Sequence, residues 1–423
     1  MNVFVNPSKA EWKTLLQRPT FDTSALQEKV KAVLENVRQN GDAAVQQYTQ
    51  QFDGVLLNEF LVTTAEIEAA TALVSDELKN AIQQAAHNIR VFHEQQVSKV
   101  EVVETMKGIQ CWRKSVGIQK VGLYIPGGTA PLFSTILMLG IPAKIAGCEE
   151  VILCSPPNKN GQLHPAILYA AQLVGIRKIF KIGGVQAIGA MAYGTENVPQ
   201  VYKIFGPGNQ YVTCAKQLIQ QQGIAIDMPA GPSEVCVLAD ETANASFVAA
   251  DLLSQAEHGV DSQVLLVSTN TSFVEAVNIE LAKQVALLSR KDLAVQALQN
   301  SKAIVVNDVS IAIELVNEYA AEHLIIACKN AHEIGDKIVN AGSIFLGNYS
   351  PESVGDYASG TNHTLPTNGF AKAYSGVSVD SFVKKITFQQ VSEFGLQQIA
   401  KTVVEMANAE GLDAHANAVK VRL

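Results

Sequence analysis

The stretch VILCSPPNKNGQLHPAILYAAQLVGIRKIFKIGG, residues 151–184, gives the clearest indication of the fold. Two short apolar runs, VILC and IFKI, flank a helical pattern at residues 165–173. Apolar runs bounded by turn residues are typical of buried strands, and a helix between two such strands predicts a parallel βαβ unit. The stretch therefore predicts an α/β fold.

The same alternation extends along the chain in both directions. GLYIPGG precedes the stretch and YKIFGPG follows it, and a second series then contains EVCVLAD, VLLVST, AIVVND, LIIAC and SIFLG, each followed by a helical pattern or a turn. Strands that alternate with helices predict open parallel sheets. We therefore expect two doubly wound Rossmann-like modules, at residues 119–235 and 236–375.

The two ends of the chain differ from this pattern. Residues 1–118 are largely helical, with periodic apolar positions at 24–52 and 67–94, and we expect this region to pack with the module at 236–375. Residues 376–423 contain a helical pattern and a charged end. This tail either reaches a partner subunit in a dimer or packs on its own domain.

Composition limits the classes of function. The chain has 423 residues, 48% hydrophobic and 17% charged, which allows a sizeable core and two or three domains. Its formal net charge of −8 argues against a nucleic-acid or anionic-membrane partner.

The apolar stretch at 131–148 contains Pro142 and Lys144, which favours a buried helix over a membrane span. The start MNVFVNPSKAEW lacks the pattern of a secretory signal, so we expect a cytoplasmic enzyme acting on a small molecule.

The six cysteines are scattered and form no CxxC pair, which argues against a disulfide framework and a thiolate zinc site. Cys154, at the end of a predicted strand, is a candidate for trapping an aldehyde covalently. A role as a small buried hydrophobic residue is the better interpretation of each cysteine.

Glycine-rich turns follow the predicted strands of the first module. They are Gly127 and Gly128 after LYI, Gly183 and Gly184 after IFKI, and Gly206 and Gly208 after YKIF. Glycines at the carboxyl ends of parallel strands let a dinucleotide or phosphate approach the backbone. GPGNQY lacks the third glycine of the GxGxxG fingerprint, so a nucleotide site and ordinary tight turns both stay open.

The second module holds two segments with metal-binding or acid–base side chains. In LLSQAEHG, Gln255 and His258 are three residues apart on a predicted helix, which suits two ligands of one metal, although a lone histidine at a helix C-terminus is more often a capping or surface residue. In AAEHLII, Glu322 and His323 stand directly before a buried strand, where they are candidates for separate acid–base groups or form a polar turn.

Two further segments place histidine near a carboxylate. SPESVGDYASGTNHTLPT reads as a long loop that contains Asp356 and His363, and the C-terminal tail contains Glu410 and His415. Nitrogen and oxygen donors without cysteine are compatible with zinc, and equally with manganese or cobalt. The residues by themselves thus predict a metalloenzyme on a doubly wound scaffold.

Taken together, these segments resemble the histidinol dehydrogenase family. From residue 121 onward, VGLYIPGG, KIGGVQAIGAMAYGT, KIFGPGNQYV, DMPAGPSEV, LLSQAEHG, EHLII, GSIFLG and SPESVGDYASGTNHTLPT occur in the family's order, and AEGLDAHANAV follows near the C-terminus. The run SVGDYASGTNHTLPT is highly specific. The resemblance covers most of the chain and is least informative over the first hundred residues.

The resemblance implies a role for particular residues. It implies one zinc ion per subunit held by Gln255, His258, Asp356 and His415, with His415 supplied by the other subunit of a homodimer. It implies Glu322 and His323 as the catalytic pair and NAD contacts at Tyr124, Gln186 and Asn209. The implied substrate-binding residues are Ser233, Gln255, His258, Glu322, His323, Asp356, Glu410 and His415.

The resemblance also implies a reaction, in which L-histidinol is oxidised twice by NAD, through L-histidinaldehyde, to L-histidine. Two other classes are weighed against it: a zinc hydrolase that uses Glu322 to activate water without NAD, and a catalytically silent binding protein on the same scaffold. The intact NAD positions speak against the hydrolase, and the intact Glu322 and His323 speak against the silent protein.

Overall fold

The protein is described by a computed structural model that covers residues 1–18, 24–127 and 131–423. Gly128 of the first glycine turn lies outside these described residues. The N-terminal region contains β1 (Asn2–Val5), α1 (Lys9–Leu15), α2 (Ser24–Asp53), α3 (Thr64–Leu73), α4 (Asp76–Glu94), β2 (Val102–Met106) and β3 (Ile109–Gly117). The helices predicted at 24–52 and 67–94 are thus present, the second as two helices.

The first module is an open parallel sheet with helices on both faces, as predicted. Its elements are β4 (Lys120–Tyr124), α5 (Phe133–Ile145), β5 (Glu150–Cys154), α6 (Pro165–Val174), β6 (Lys178–Phe180), α7 (Gly184–Tyr193), β7 (Lys203–Phe205), α8 (Gln210–Gln220) and β8 (Ala225–Ile226). The strand order is β6-β5-β4-β7-β8. Along β4, Leu123 packs into the core with α5 and α6, whereas Tyr124 packs on the opposite face with α7 and α8.

The second module is also a parallel sheet between helices. Its elements are β9 (Glu234–Ala239), α9 (Ala245–Ala256), β10 (Gln263–Ser268), α10 (Thr271–Val285), α11 (Lys291–Gln299), β11 (Lys302–Val305), α12 (Val309–Tyr319), β12 (His323–Ala327), α13 (Ala331–Gly335), β13 (Ser343–Leu346) and α14 (Glu352–Tyr357). The strand order is β1-β11-β10-β9-β12-β13, so the chain's first strand completes this sheet. The boundary predicted after residue 235 cuts β9 and in fact lies before Glu234.

The predicted packing of residues 1–118 is wrong for most of that region. Strand β1 joins the sheet of the second module and α1 joins its core, where Trp12 lies. Helix α2 packs on α7 and α8, α3 on α6, and α4 on α5, all in the first module. The reason is that the apolar face of α2, which includes Val30, Leu34 and Val37, fills the core formed with α7 and α8.

The tail contains two short 3-10 helices (Phe370–Lys372 and Val379–Phe382), β14 (Val383–Val391), α15 (Glu393–Ala409) and α16 (Asp413–Lys420). The predicted tail helix is present as α15, but β14 was not predicted. It pairs antiparallel with β3, from Val383 beside Gly117 to Val391 beside Ile109, and forms a small sheet of order β14-β3-β2. In the described part of the chain, no helix is long and apolar enough to cross a membrane.

Helix α2 contains a sharp break at Gly41, whose φ of 51° and ψ of −131° are not helical. The backbone N–H of the next residue, Asp42, donates a hydrogen bond of 2.8 Å to Glu196 Oε2. A Cβ at residue 41 lies 2.5 Å from the same oxygen. The break therefore depends on glycine for its backbone conformation, and a side chain here would also force the exposed Glu196 carboxylate to shift and give up its hydrogen bond with Asp42.

We predict that Gly41→Ala lowers the free energy of unfolding by about 2 to 4 kcal/mol, measured by urea denaturation, because both the backbone conformation and the space disfavour a side chain. Gly54→Ala is the matched control: its φ is also positive, at 73°, but no atom lies within 4 Å of the added Cβ. It should cost only about 1 kcal/mol. Equal losses for the two variants would contradict the larger cost assigned to the Gly41 conformation and to loss of the Asp42–Glu196 hydrogen bond.

Candidate functional site

Polar side chains of the two modules gather at opposite ends of their strands. In the first module they follow the carboxyl ends, as at Tyr124, the last residue of β4, and at the turn after β7. In the second module they lie at the amino ends, where Glu322 precedes β12 and His323 begins it. The sequence suggested carboxyl ends as the place for ligands, and this holds only for the first module.

The predicted catalytic pair, Glu322 and His323, is buried, with exposures of 7% and 3%. The backbone N–H of Glu234, the first residue of the neighbouring strand β9, donates to Glu322 Oε2 at 2.9 Å. His323 Nδ1 lies 3.1 Å from Gln255 Nε2 and 3.3 Å from the Glu234 carbonyl oxygen. The two side chains are thus both held by the backbone of Glu234, and they lie 3.7 Å apart between His323 Nδ1 and Glu322 Oε2.

His323 also contacts Asp356, with 3.1 Å between Nε2 and Oδ1. Burial by itself lowers the pKa of His323, but the charge of Glu322 and the hydrogen bond with Asp356 outweigh it and raise this pKa well above its usual value. Burial raises the pKa of Asp356, but its hydrogen bond with His323 and the charges of nearby histidines bring it below the usual value. In the absence of a metal, this pair therefore favours imidazolium and carboxylate.

Gln255 and His258 do not share a helical face, which corrects the sequence interpretation. Helix α9 ends at Ala256, so His258 lies beyond its C-cap residue. Gln255 is buried, and its amide nitrogen donates to the Glu234 carbonyl oxygen at 3.2 Å. Its Oε1 and the exposed ring of His258 make no hydrogen bond within the described part of the chain and are therefore available as ligands.

The side-chain oxygens of Gln255 and Asp356 and the imidazole nitrogen of His258 are donors that suit a zinc ion. Gln255 and Asp356 both contact His323, and His258 is near enough for its charge to lower the pKa of Asp356. Within residues 1–18, 24–127 and 131–423, His, Cys, Asp and Glu side chains form no group of three or more that could hold a metal.

The structure does not bring Glu410 and His415 to this cluster. Glu410 follows α15, His415 lies on α16, and both side chains are exposed. Neither residue lines the cavity beside Glu322. Their predicted roles therefore depend on a surface outside this chain's own site.

A cavity of about 310 Å³ lies between the two modules. His258 and Glu322 line it from the second module, the Gly206–Asn209 turn lines it from the first, and Ser233 lines it just before β9. In that turn, the carbonyl oxygen of Tyr124 lies 2.0 Å from the position of a Cβ on Gly206, so only glycine allows the close approach. The predicted substrate residue Ser233 thus lines the same cavity as Glu322 of the predicted catalytic pair.

A second, larger cavity of about 1100 Å³ lies on the first module. Tyr124, Gly184 and Asn209 line it, and Asn209 caps α8 by accepting hydrogen bonds from the N–H groups of Tyr211 and Val212. Because Asn209 also lines the smaller cavity, the two cavities adjoin at this residue. Such a size suits a dinucleotide better than a small metabolite.

Gln186, the third predicted NAD residue, is fully buried and does not line the larger cavity. Its Nε2 lies 3.5 Å from Oδ2 of Asp53, which does line it, and its Oε1 is buried without a hydrogen-bond partner among the described residues. Burial raises the pKa of Asp53 to about 6. Gln186 can therefore act on a ligand through Asp53 or after a side-chain rotation.

Sequence reasoning missed one buried carboxyl group at the site. Glu352 is one helical turn before Asp356 on α14, a helix within the stretch predicted to be a loop. It accepts a hydrogen bond of 2.6 Å from Ser254, and burial raises its pKa to about 8. The i, i+4 spacing of the two carboxylates was the available signal, hidden by the many Gly, Ser and Thr residues around it.

Two other residues of the sequence analysis are placed clearly. His363 bridges the modules, because Nε2 lies 3.1 Å from Thr135 Oγ1 on α5 and Nδ1 lies 2.8 Å from the Asp356 carbonyl oxygen. Cys154 is fully buried, and burial raises its pKa far above that of a free thiol. A buried neutral thiol is a poor nucleophile, which agrees with the hydrophobic interpretation.

Comparisons with known proteins agree with this arrangement. The family model for histidinol dehydrogenase matches residues 16–423. A histidinol dehydrogenase of Bacteroides thetaiotaomicron is 60% identical over 423 residues, covering 100% of this chain and 99% of its own, and one of Yersinia pestis is 51% identical over 419 residues, covering 98% and 94%. A crystal structure of histidinol dehydrogenase from Elizabethkingia anophelis superposes with a TM-score of 0.98 at 55% identity, covering 100% of this chain and 98% of that one.

These matches extend over both modules and the tail, and the segments that form the two cavities lie within them. The described fold therefore superposes closely on that of the crystal structure. The chain belongs to the histidinol dehydrogenase family.

Proposed function

We propose that this protein oxidises L-histidinol through L-histidinaldehyde to L-histidine, the last step of histidine biosynthesis, with one zinc ion per subunit and with NAD in both oxidations. Family membership supports the reaction. The observation that carries the proposal is the junction of the two cavities at Asn209, because hydride transfer requires the cofactor and the substrate to lie in adjoining pockets.

The NAD part of the proposal rests on the larger cavity. Tyr124 and Asn209 line its walls, and Gln186 stands behind Asp53. When bound, NAD accepts a hydride from the alcohol carbon and, in the second oxidation, from the aldehyde hydrate. The net charge of −8 supports a protein without nucleic-acid or membrane partners, and we propose a cytoplasmic location.

The zinc part rests on the free donor atoms of Gln255, His258 and Asp356. When bound, zinc supplies a positive charge that anchors the nitrogen atoms of histidinol and fixes the position of its alcohol carbon. Asp356 Oδ1 contacts His323 in this structure, so a cation held by Asp356 would lie close to His323. Its positive charge would lower the pKa of His323 and favour the neutral imidazole that a general base requires.

His323 and Glu322 then have separate tasks. Neutral His323 takes the hydroxyl proton of histidinol as the alcohol carbon loses its hydride. Glu322, held by the N–H of Glu234, takes a proton from the water that adds to the carbonyl carbon of histidinaldehyde. His323 takes the proton of the resulting hydrate during the second oxidation, which leaves the carboxylate of histidine.

We further propose a homodimer in which the partner subunit's Glu410 and the partner subunit's His415 complete each site. The tail that carries them is exposed, and so is the sheet that precedes it. Large apolar side chains lie on the surface of that sheet, including Val102, Val103 and Phe388. Exposed apolar side chains clustered on one element are typical of a protein interface.

The first prediction concerns the metal. The zinc-loaded protein should reduce two NAD for each histidinol consumed, followed by absorbance of reduced NAD, and exhaustive chelation should abolish turnover until zinc is restored. His258→Ala should retain less zinc by elemental analysis. Its matched control is His332→Ala on the exposed surface of α13, which should behave like the unmodified protein.

Zinc affinity should also fall as the pH is lowered, because protons compete with the metal for imidazole nitrogen. Full turnover by a protein that elemental analysis shows to be metal-free would contradict the zinc assignment. Absence of NAD reduction by the zinc-loaded protein would contradict the proposed reaction itself.

The second prediction separates Glu322 from His323. Glu322→Gln should slow oxidation of histidinaldehyde about 100-fold or more and oxidation of histidinol far less, because only the aldehyde step needs an activated water. His323→Asn should slow both steps. Single-turnover measurements with each substrate distinguish the two patterns, and equal losses for Glu322→Gln would assign it a positioning role.

The third prediction tests the shared site. His258→Ala and His415→Ala should each be nearly inactive, but a mixed dimer has one site with both substitutions and one intact site. The purified mixed dimer, isolated through two different tags, should regain roughly half of the normal activity. A folded mixed dimer that binds zinc but stays inactive would show that the tail serves its own subunit.

A further inference from the structure

A buried ion pair lies directly behind the catalytic cluster, outside both cavities. Arg18, just after α1, donates two hydrogen bonds to Glu234, from Nε to Oε1 at 2.6 Å and from Nη2 to Oε2 at 2.8 Å. The side chains are 14% and 2% exposed. Arg18 also donates to the carbonyl oxygen of Tyr319 at 2.6 Å and stacks on its ring, with 4.1 Å from Cζ to the ring centroid.

The backbone of Glu234 contacts three residues of the proposed site. Its N–H holds Glu322 Oε2 at 2.9 Å. Its carbonyl oxygen accepts from Gln255 Nε2 at 3.2 Å and lies 3.3 Å from His323 Nδ1. The proposed water activator, one proposed zinc ligand and the proposed base are thus all oriented by the backbone of one residue.

The side chain of Glu234 is held from a second direction as well. The N–H of Asn368 donates to Glu234 Oε1 at 2.7 Å, which connects β9 to the segment that follows His363. Burial raises the pKa of Glu234, and the hydrogen bonds and charge of Arg18 oppose that shift. Without Arg18, a carboxylate this deeply buried must take up a proton or move toward water, and either change disturbs the backbone to which it is attached.

We propose that Arg18 and Glu234 form a positioning clamp that fixes the Glu234 backbone and thereby orients Glu322, Gln255 and His323. The clamp rests on the proposed function, since it acts on the residues assigned there. Neither clamp side chain lines the substrate cavity, so both are positioning residues rather than catalytic ones. The bidentate geometry explains why arginine is required, because a lysine cannot hold both carboxylate oxygens in one plane.

The N-terminal segment offers a control for simple loss of packing. Trp12 lies on α1, is 6% exposed and packs in the same core as Tyr319. Its indole N–H donates to the carbonyl oxygen of Pro7, and it makes no hydrogen bond to Glu234. Trp12→Leu should therefore weaken the attachment of this segment without disturbing the clamp.

The test compares Arg18→Met, Arg18→Lys and Trp12→Leu in the zinc-loaded, full-length enzyme. For Arg18→Met we expect kcat to fall about 100-fold on histidinol and on histidinaldehyde with KM changed less than about threefold, as expected when catalytic groups are misplaced but binding is kept. The dissociation constant for zinc, measured by competition with a chelator, should rise about tenfold because Gln255 loses its orientation. Arg18→Lys should recover part of both losses.

Trp12→Leu should lower the melting temperature while kcat and zinc affinity stay near normal. The clamp is refuted if Arg18→Met and Trp12→Leu change kcat and zinc affinity equally, or if Arg18→Met changes neither. If Arg18→Met does not fold, Arg18→Lys decides alone by the same two measurements. Failure of the proposed function is distinguishable, because it appears in the unmodified protein as absent zinc binding or absent NAD reduction.

Discussion

A parallel sheet that is buried on both faces can present polar groups only at the ends of its strands, and this constraint determines where chemistry is possible in the protein. The inner strands are mostly apolar, as in β9, where all six residues are buried and the one charged residue, Glu234, stands at the amino end. The first module uses the carboxyl ends, where glycine turns and helix N-termini lie. The second uses the amino ends, where Glu322 precedes β12 and His323 begins it. Placing these unlike edges against each other creates the smaller cavity, which adjoins the larger cavity of the first module at Asn209.

Buried charges at the strand ends of both modules form ion pairs, and each ion pair also holds a nearby backbone segment in place. In the first module, Lys216 and Asp227 form a buried ion pair whose members also bind the turn at Gly206: Lys216 donates to its carbonyl oxygen, and Asp227 accepts from its N–H, each at 2.8 Å. In the second module, Arg18 and Glu234 hold the start of β9 in the same way. An unpaired buried charge at either position would raise the free energy of the folded state. Each pair therefore helps to hold the backbone segment that it contacts.

The tail shows how a site can be only partly present in one chain. Strand β14 is anchored by nine residue pairs to β3, and stacking of Phe382 on Phe205 attaches it to the first module. Beyond β14, α15 and α16 carry Glu410 and His415 on an exposed surface. Pairing of β14 with β3 fixes the point at which α15 leaves the two modules. In the proposed homodimer, the exposed Glu410 and His415 would contact the site of the partner subunit.

The sequence by itself determined the two parallel modules, because runs such as VILC and EVCVLA have the composition of strands buried on both faces, a local property. It also identified Glu322, His323, Gln255 and Asp356, through the resemblance of short motifs. It could not determine that α2, α3 and α4 pack on the first module, since an amphipathic face specifies burial but not the surface that buries it. Likewise, only the tertiary structure brought Arg18 beside Glu234 and Glu352 beside Ser254, because residues distant in sequence meet only when the sheets and helices have packed.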